Sequence, residues 1–195
     1  MSEFSVVLTM RQRHVLAFAK YAHGNQKRKY TNQPYWHHPL EVATIVNRVE
    51  TALDDCLVEI ALLHDVLEDT RILPEEIVDF LFYGCEYSDQ EVTQIYDGAF
   101  ALTDKFTKES FPNLNREKRK KQEIERLSSI KGDYKTVKCA DLIDNTSSIV
   151  KHDKDFARIY LKEKEAVLQV MEGANPEILA KAWQALEEAK KECDG

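Results

Sequence analysis

Ala61-Leu62-Leu63-His64-Asp65-Val66-Leu67-Glu68-Asp69-Thr70 is the stretch around which the chain is organised. An apolar helical run ends in His-Asp, and Glu-Asp follows one turn later. At helical spacing His64 and Glu68 lie i,i+4, and so do Asp65 and Asp69. Four groups able to bind a metal or move a proton therefore leave one helix end together. Imidazole nitrogen and carboxylate oxygen suit Mn, Fe, Co or Zn. A carboxylate pair beside a metal activates and orients water.

The rest of the chain is a plausible frame for such a site. Its 195 residues fit one domain with a proper core, read here as a single unit over 1–195. Hydrophobic residues make up 43% and charged residues 31%, the balance of an ordinary globular protein rather than a disordered one. No apolar run reaches membrane-spanning length, and Met1-Ser2-Glu3-Phe4 lacks the basic start and apolar core of a signal peptide. A cytoplasmic location without membrane attachment is expected. The cysteines at 56, 85, 139 and 193 form no CxxC and read as free thiols, Cys139 among them as core. A net charge of −7 argues against a general nucleic-acid binder. Positive charge is nevertheless clustered at Lys27-Arg28-Lys29 and at Arg116, Lys118, Arg119, Lys120 and Lys121. Such clusters serve local phosphate chemistry or a solvated face, and the second run fits either.

Helical spacing and helix punctuation recur along the chain, with almost no strand signal. Thr9-Met10-Arg11-Gln12 is a capping-box pattern that opens a helix ended by Gly24-Asn25. Residues 24–37 read as a loop, in which Tyr35 and Trp36 are anchors. His38-Pro39 then opens a helix over 38–50, with His38 at the N-cap and Pro39 at the first helical position. His14 and His37 read as surface residues. Asp54-Asp55 begins the helix that ends at His64-Asp65. Further helices are expected from Pro74 to about Gly84, from Ser88 to about Thr103, over 116–130, around 136–149, at 155–171, and from Pro176 to 192 behind an Asn175 cap. The last two read as packing helices or an oligomer surface; the oligomeric state stays open. Residues 104–115 read as a polar, mobile loop, and Lys131-Gly132-Asp133 as a helix break. In the 136–149 helix, Val137, Ala140, Leu142, Ile143 and Ile149 form the buried face. Asp141, Asn145 and Ser148 make a polar stripe along it, and a buried acid there must be paired internally or bound to a metal.

His38, His64, Asp65 and Asp141 thus offer two nitrogens and two carboxylates, the donor set of a mononuclear divalent site. This set resembles that of the HD-domain metal-dependent phosphohydrolases. Longer strings resemble the hydrolase domain of RelA/SpoT-type (p)ppGpp enzymes. They are 21–29 (YAHGNQKRK), 34–43 (PYWHHPLEVA), 62–70 (LLHDVLEDT), Asn115-Arg116 with Arg119-Lys120, and 138–145 (KCADLIDN). The resemblance spans about residues 10–150. It implies an all-α HD-domain helical bundle and a manganese-dependent hydrolase that converts ppGpp or pppGpp to GDP or GTP and pyrophosphate. It assigns the metal to His38, His64, Asp65 and Asp141, water activation to Glu68 and Asp69, and nucleotide contacts to Arg28, Lys29, Asn145 and Ser148. The chain departs from the pattern at Leu142 and Asp144, where the family commonly has Arg and His, and at Asn25, which interrupts a Gly-Gln spacing. Residues 151–195 are too short for a synthetase domain. Two alternatives follow. One is the same chemistry on another nucleotide, such as an adenine alarmone, NADPH, a nucleoside monophosphate or a dNTP. The other is a nucleotide-sensing HD domain without turnover.

Overall fold

A computed structural model describes residues 6–49 and 56–194. The chain divides into two compact units, residues 1–103 and 104–195. Among the described residues the secondary structure is helical, with one isolated bridge between Lys27 and Pro34, so the all-α expectation holds.

In the first unit, α1 (Met10–His23) begins as its sequence dictates. The Gln12 N–H donates to Thr9 Oγ1 at 3.2 Å, and the Thr9 N–H donates back to Gln12 Oε1 at 3.0 Å. Gly24 ends the helix at φ +49, a conformation that favours glycine. Helix α2 (His37–Asn47) starts two residues earlier than the proline signal implies, with Trp36 before it. His38 and Pro39 therefore sit inside the first turn rather than at its cap. The chain is already winding there: the His37 N–H donates to Pro34 O at 3.2 Å and the His38 N–H to Tyr35 O at 2.8 Å. Proline is accepted throughout a first turn, where an N–H has no intrahelical acceptor to lose.

Helix α3 (Leu57–Leu63) is buried at every position and packs against α1, α2 and α6. The expected start at Asp54-Asp55 lies outside the described residues. The helix ends close to the expected His64-Asp65, at Leu63, and a single separate turn, α4 (Val66–Asp69), follows. Asp65 sits at φ −99, ψ −5, in the bridge region where many site residues lie. The Asp69 N–H still reaches Asp65 O at 2.9 Å, so the two acids keep their one-turn spacing across the break. Helix α5 (Pro74–Asp79) runs on into a π-helical turn, Phe80–Gly84. Helix α6 (Asp89–Leu102) opens with a Ser88–Glu91 capping box. Gly98 lets α6 close onto α3, since a Cβ there would stand 2.6 Å from Ile60 Cδ1.

In the second unit, the segment expected to be mobile is tied down. Glu123 Oε2 accepts from the N–H groups of Lys105 at 3.1 Å and Phe106 at 3.2 Å, and the Phe106 and Phe111 rings meet at 4.9 Å. Helix α7 (Arg116–Ser128) is capped by Asn115, whose Oδ1 accepts from the Lys118 N–H at 2.9 Å. Gly132, expected as a break, is the first residue of α8 (Gly132–His152). A Cβ there would strike the Gly173 carbonyl. Helices α9 (Lys154–Leu168) and α10 (Pro176–Asp194) pack on α8 and on each other. Asn175 Oδ1 caps α10 through Glu177 and Ile178, as read from the sequence. The four cysteines are free, and three of them are buried. Burial pushes the Cys139 thiol up to about 12, fitting its core role.

Candidate metal centre

Two buried helices of the first unit deliver three ligands to one point. His38 comes from the first turn of α2 and His64 from the residue after α3, and both rings are only 2% exposed. Asp65 follows at the helix break. One ligand atom from each lies within 4.8 Å of the others. Asp65 Oδ2 is 3.4 Å from His38 Nε2 and 3.1 Å from His64 Nε2, and the two imidazoles meet edge to face at 5.2 Å.

The tautomer of His64 follows from its other nitrogen. Nδ1 lies 2.8 Å from the Ala61 carbonyl, which only accepts, so Nδ1 carries the proton and Nε2 presents a lone pair beside Asp65. Backbone anchoring of this kind orients metal-ligating histidines. Two neutral imidazoles and a carboxylate converging in a buried niche fit a divalent transition ion. When bound, such an ion polarises a phosphoryl oxygen and lowers the pKa of water.

The acid pair stands next to this cluster. Glu68 and Asp69 belong to α4, and both are exposed. Asp69 and Asp65 share a partner that sequence reasoning treated only as a loop anchor. The Tyr35 hydroxyl donates to Asp65 Oδ2 at 2.8 Å and also engages Asp69. Burial, then the charges of Asp65 and Asp69, hold this phenol far above its ordinary pKa, so it remains a donor. Gln26 Nε2 donates to Asp69 Oδ2 at 3.1 Å, and its Oε1 accepts from the Nδ1 of buried His23 at 2.8 Å. The His23 ring leans on Tyr35 at 4.7 Å. His23, Gln26 and Tyr35 thus form a supporting layer behind the two aspartates. The available signal was position: Tyr35 stands one turn before His38.

The remaining candidates are placed as follows. Arg28 and Lys29 lie on a hairpin-like loop, in which the Arg28 N–H donates to Gln33 O at 2.9 Å and the Tyr35 N–H to Gln26 O at 2.9 Å. Lys29 Nζ lies 4.9 Å over the Tyr30 ring. Trp36 anchors the loop as expected, holding Lys20 over its ring at 3.8 Å and stacking on His37 at 3.9 Å. His14 is exposed, whereas His37 is half-buried. Asp141, Asn145 and Ser148 lie on α8 of the second unit and are described there by their local partners. Buried Asp141 accepts from Lys138 Nζ at 2.8 Å and Asn145 Nδ2 at 2.6 Å, and Ser148 donates to Asn145 O at 3.1 Å. Leu142 is buried, and Asp144 is half-buried.

Comparison with known proteins places these features in a family. The HD domain model matches residues 15–158. The GTP pyrophosphokinase rsh of Brucella ovis is 48% identical over 65 residues, covering 33% of this chain and 8% of that protein. The chain thus spans under a tenth of the first relatives it matches. The guanosine-3′,5′-bis(diphosphate) 3′-pyrophosphohydrolase MESH1 of Xenopus tropicalis is 34% identical over 129 residues, 66% of this chain and 63% of that one. A solved structure, described as a metazoan ortholog of SpoT that hydrolyzes ppGpp and plays a role in starvation responses, superposes with a TM-score of 0.74 at 24% identity. The match covers 94% of this chain and 97% of that chain. At that identity it establishes the fold.

Proposed function

The chain belongs to the HD domain family, and from that premise we propose a metal-dependent phosphohydrolase that removes the 3′-pyrophosphate of ppGpp and pppGpp. The observation that carries this reading is the convergence of His38, His64 and Asp65 beside the Glu68-Asp69 turn. The name of the MESH1 relative, a guanosine-3′,5′-bis(diphosphate) 3′-pyrophosphohydrolase, supplies the nucleotide. We take residues 1–195 as one hydrolase domain acting in the cytoplasm on a small nucleotide, with no nucleic-acid or membrane partner.

His38, His64 and Asp65 hold the ion, and the resemblance adds Asp141 as a fourth ligand. Manganese is the ion assigned. Glu68 and Asp69 take the proton from the water whose oxygen bonds to the 3′-phosphorus. The bond from that phosphorus to the ribose 3′-oxygen breaks, the 3′-oxygen takes up a proton, and pyrophosphate leaves. Tyr35 and Gln26 fix the Asp65 and Asp69 carboxylates in place for this. Arg28, Lys29, Asn145 and Ser148 contact the nucleotide. The planar guanidinium of Arg28 suits phosphate or the face of a base.

The test is pyrophosphate release from ppGpp by the purified protein with and without Mn²⁺, beside Glu68→Gln. The expected result is metal-dependent release that the variant lacks while retaining its metal. A fully active Glu68→Gln rejects the assigned base. Metal-loaded protein that ignores ppGpp but cleaves another 3′-phosphorylated nucleotide rejects the substrate and keeps the site.

A further inference from the structure

Asp69 is exposed, yet its carboxylate is reached from the interior of the first unit. The path starts at His23, the last residue of α1, which is 4% exposed. Gly24, at φ +49, turns the chain directly after it, and the Gln26 N–H closes that turn on His23 O at 2.9 Å. From the other side the Tyr35 N–H donates to Gln26 O at 2.9 Å. The Gln26 backbone is thus tied down through both its N–H and its carbonyl. Its side-chain amide bridges His23 and Asp69.

The hydrogen bonds along this path run in one direction. The Asp69 carboxylate accepts, so the Gln26 NH2 faces it, at 3.1 Å. The amide carbonyl therefore faces His23 Nδ1, at 2.8 Å, and it too only accepts, so Nδ1 carries the proton. The other ring nitrogen agrees. Nε2 is buried without a hydrogen-bond partner, so a proton there would have no acceptor. A buried imidazole with one unsatisfied nitrogen carries a cost that a carbon ring avoids. The ring contact with Tyr35, at 4.7 Å, is one that phenylalanine could also make; the Nδ1–H is not. A Gln26 amide turned over would set its carbonyl against the Asp69 oxygen and its NH2 against the His23 Nδ1–H, two mismatches at once. At the exposed end water competes for the NH2, so the shielded bond to His23 is the one that fixes the amide plane.

We propose that His23 is a positioning residue for Asp69: its Nδ1–H locks the plane of the Gln26 amide, and the locked amide fixes the carboxylate for the water it orients. The task given to Asp69 rests on the hydrolase reading; the direction of the bonds does not. The metal cluster is His38, His64 and Asp65, and this path ends on a different carboxylate. Its effect therefore falls on turnover rather than on metal affinity, in contrast to that of Tyr35, which donates to Asp65.

The experiment compares His23→Asn, His23→Gln and His23→Phe in metal-loaded full-length protein. The Asn NH2 takes the place of Nδ1–H, the Gln NH2 falls at the place of Nε2, and Phe keeps the ring without a donor. Positioning through Nδ1 predicts that kcat on ppGpp falls about 10-fold or more in His23→Gln and His23→Phe, with KM and Mn²⁺ affinity unchanged, and that His23→Asn recovers most of the loss. A ring that only packs gives the reverse order, Phe best and Asn worst, and overturns the proposal. Wild-type kcat in all three variants overturns it too, as does a loss of Mn²⁺ affinity large enough to account for the lost rate. Thermal unfolding verifies that each variant folds. If His23→Asn does not, Gln26→Leu carries the test: His23→Phe should cost nothing further in that background, and additive losses overturn the proposal. Nitrogen NMR of the imidazole gives a readout independent of turnover, with Nδ1 protonated and Nε2 bare; the opposite tautomer overturns the proposal. Wild-type protein that leaves ppGpp intact rejects the hydrolase reading alone. The lock is then read from the Gln26 side-chain amide, protected from hydrogen exchange in the wild type and in His23→Asn and unprotected in His23→Phe; equal protection in all of them overturns it.

Discussion

At the scale of single residues, the centre depends on atoms that never touch the ion. Tyr35 donates to the same Asp65 oxygen that faces both imidazoles. Tyr35→Phe removes that bond and little volume, and the expected outcome is about 10–100-fold weaker metal binding, read by titration against a chelator. Lys164 gives a second prediction. Its folded-state pKa of about 8 lies below the ordinary 10.5, so between these values the unfolded chain binds more protons and this group's contribution to stability rises with pH. Below pH 8 the full penalty of burying the ammonium is present, on the order of 3 kcal/mol, and above 10.5 it is gone. Cys139, held at about 12, works in the opposite direction, so the quantity to measure is a difference. Urea unfolding of wild type and Lys164→Met at pH 7 and pH 10 should show the variant's relative advantage shrinking at the higher pH. The cluster of His38, His64 and Asp65 was legible in the sequence as a set of metal-ligating residue types, each set by a helix end. Tyr35, Gln26 and His23 were not, because their roles come from a loop that folds back across three chain segments.

At the scale of elements, caps made by Ser, Thr and Asn side chains were legible, whereas the cap of α2 at Trp36 and the separate turn after Leu63 were not. Thr9, Ser88 and Asn175 cap as read from the sequence, since an N-cap is a local hydrogen bond. The stop at Leu63 is non-local. The sequence reading ends the helix at His64-Asp65, one residue past its observed end at Leu63, and no glycine or proline marks the separate turn that carries Glu68-Asp69. Helix α3 is held in place by its neighbours, most closely where Gly98 of α6 faces Ile60. Gly98→Ala gains helix propensity but overpacks that contact. The expected net loss is about 1–3 kcal/mol, measured by chemical denaturation. Because α3 leads directly into His64, metal affinity should fall in the same variant, whereas exposed Gln90→Ala on α6 should leave both unchanged.

At the scale of the whole molecule, ligand binding and folding are linked. An ion that binds only the folded chain at 100 times its dissociation constant adds about 2.7 kcal/mol of stability. Mn²⁺ should therefore raise the melting temperature in calorimetry, and Asp65→Ala should abolish the shift. Hydrogen exchange reports the extent of the effect: protection of α2 and α3 is expected from His38 and His64, and protection of α8 tests the participation of Asp141. The donors described here are two imidazole nitrogens and a carboxylate oxygen. For such a set, intrinsic affinity climbs from manganese through iron and cobalt and remains high at zinc. The polypeptide thus excludes calcium, which demands an all-oxygen shell, but does not itself rank manganese first. Which ion occupies the centre becomes a matter of competition, decided by the free concentrations around the protein, so trace zinc in a preparation would displace the manganese supplied to it.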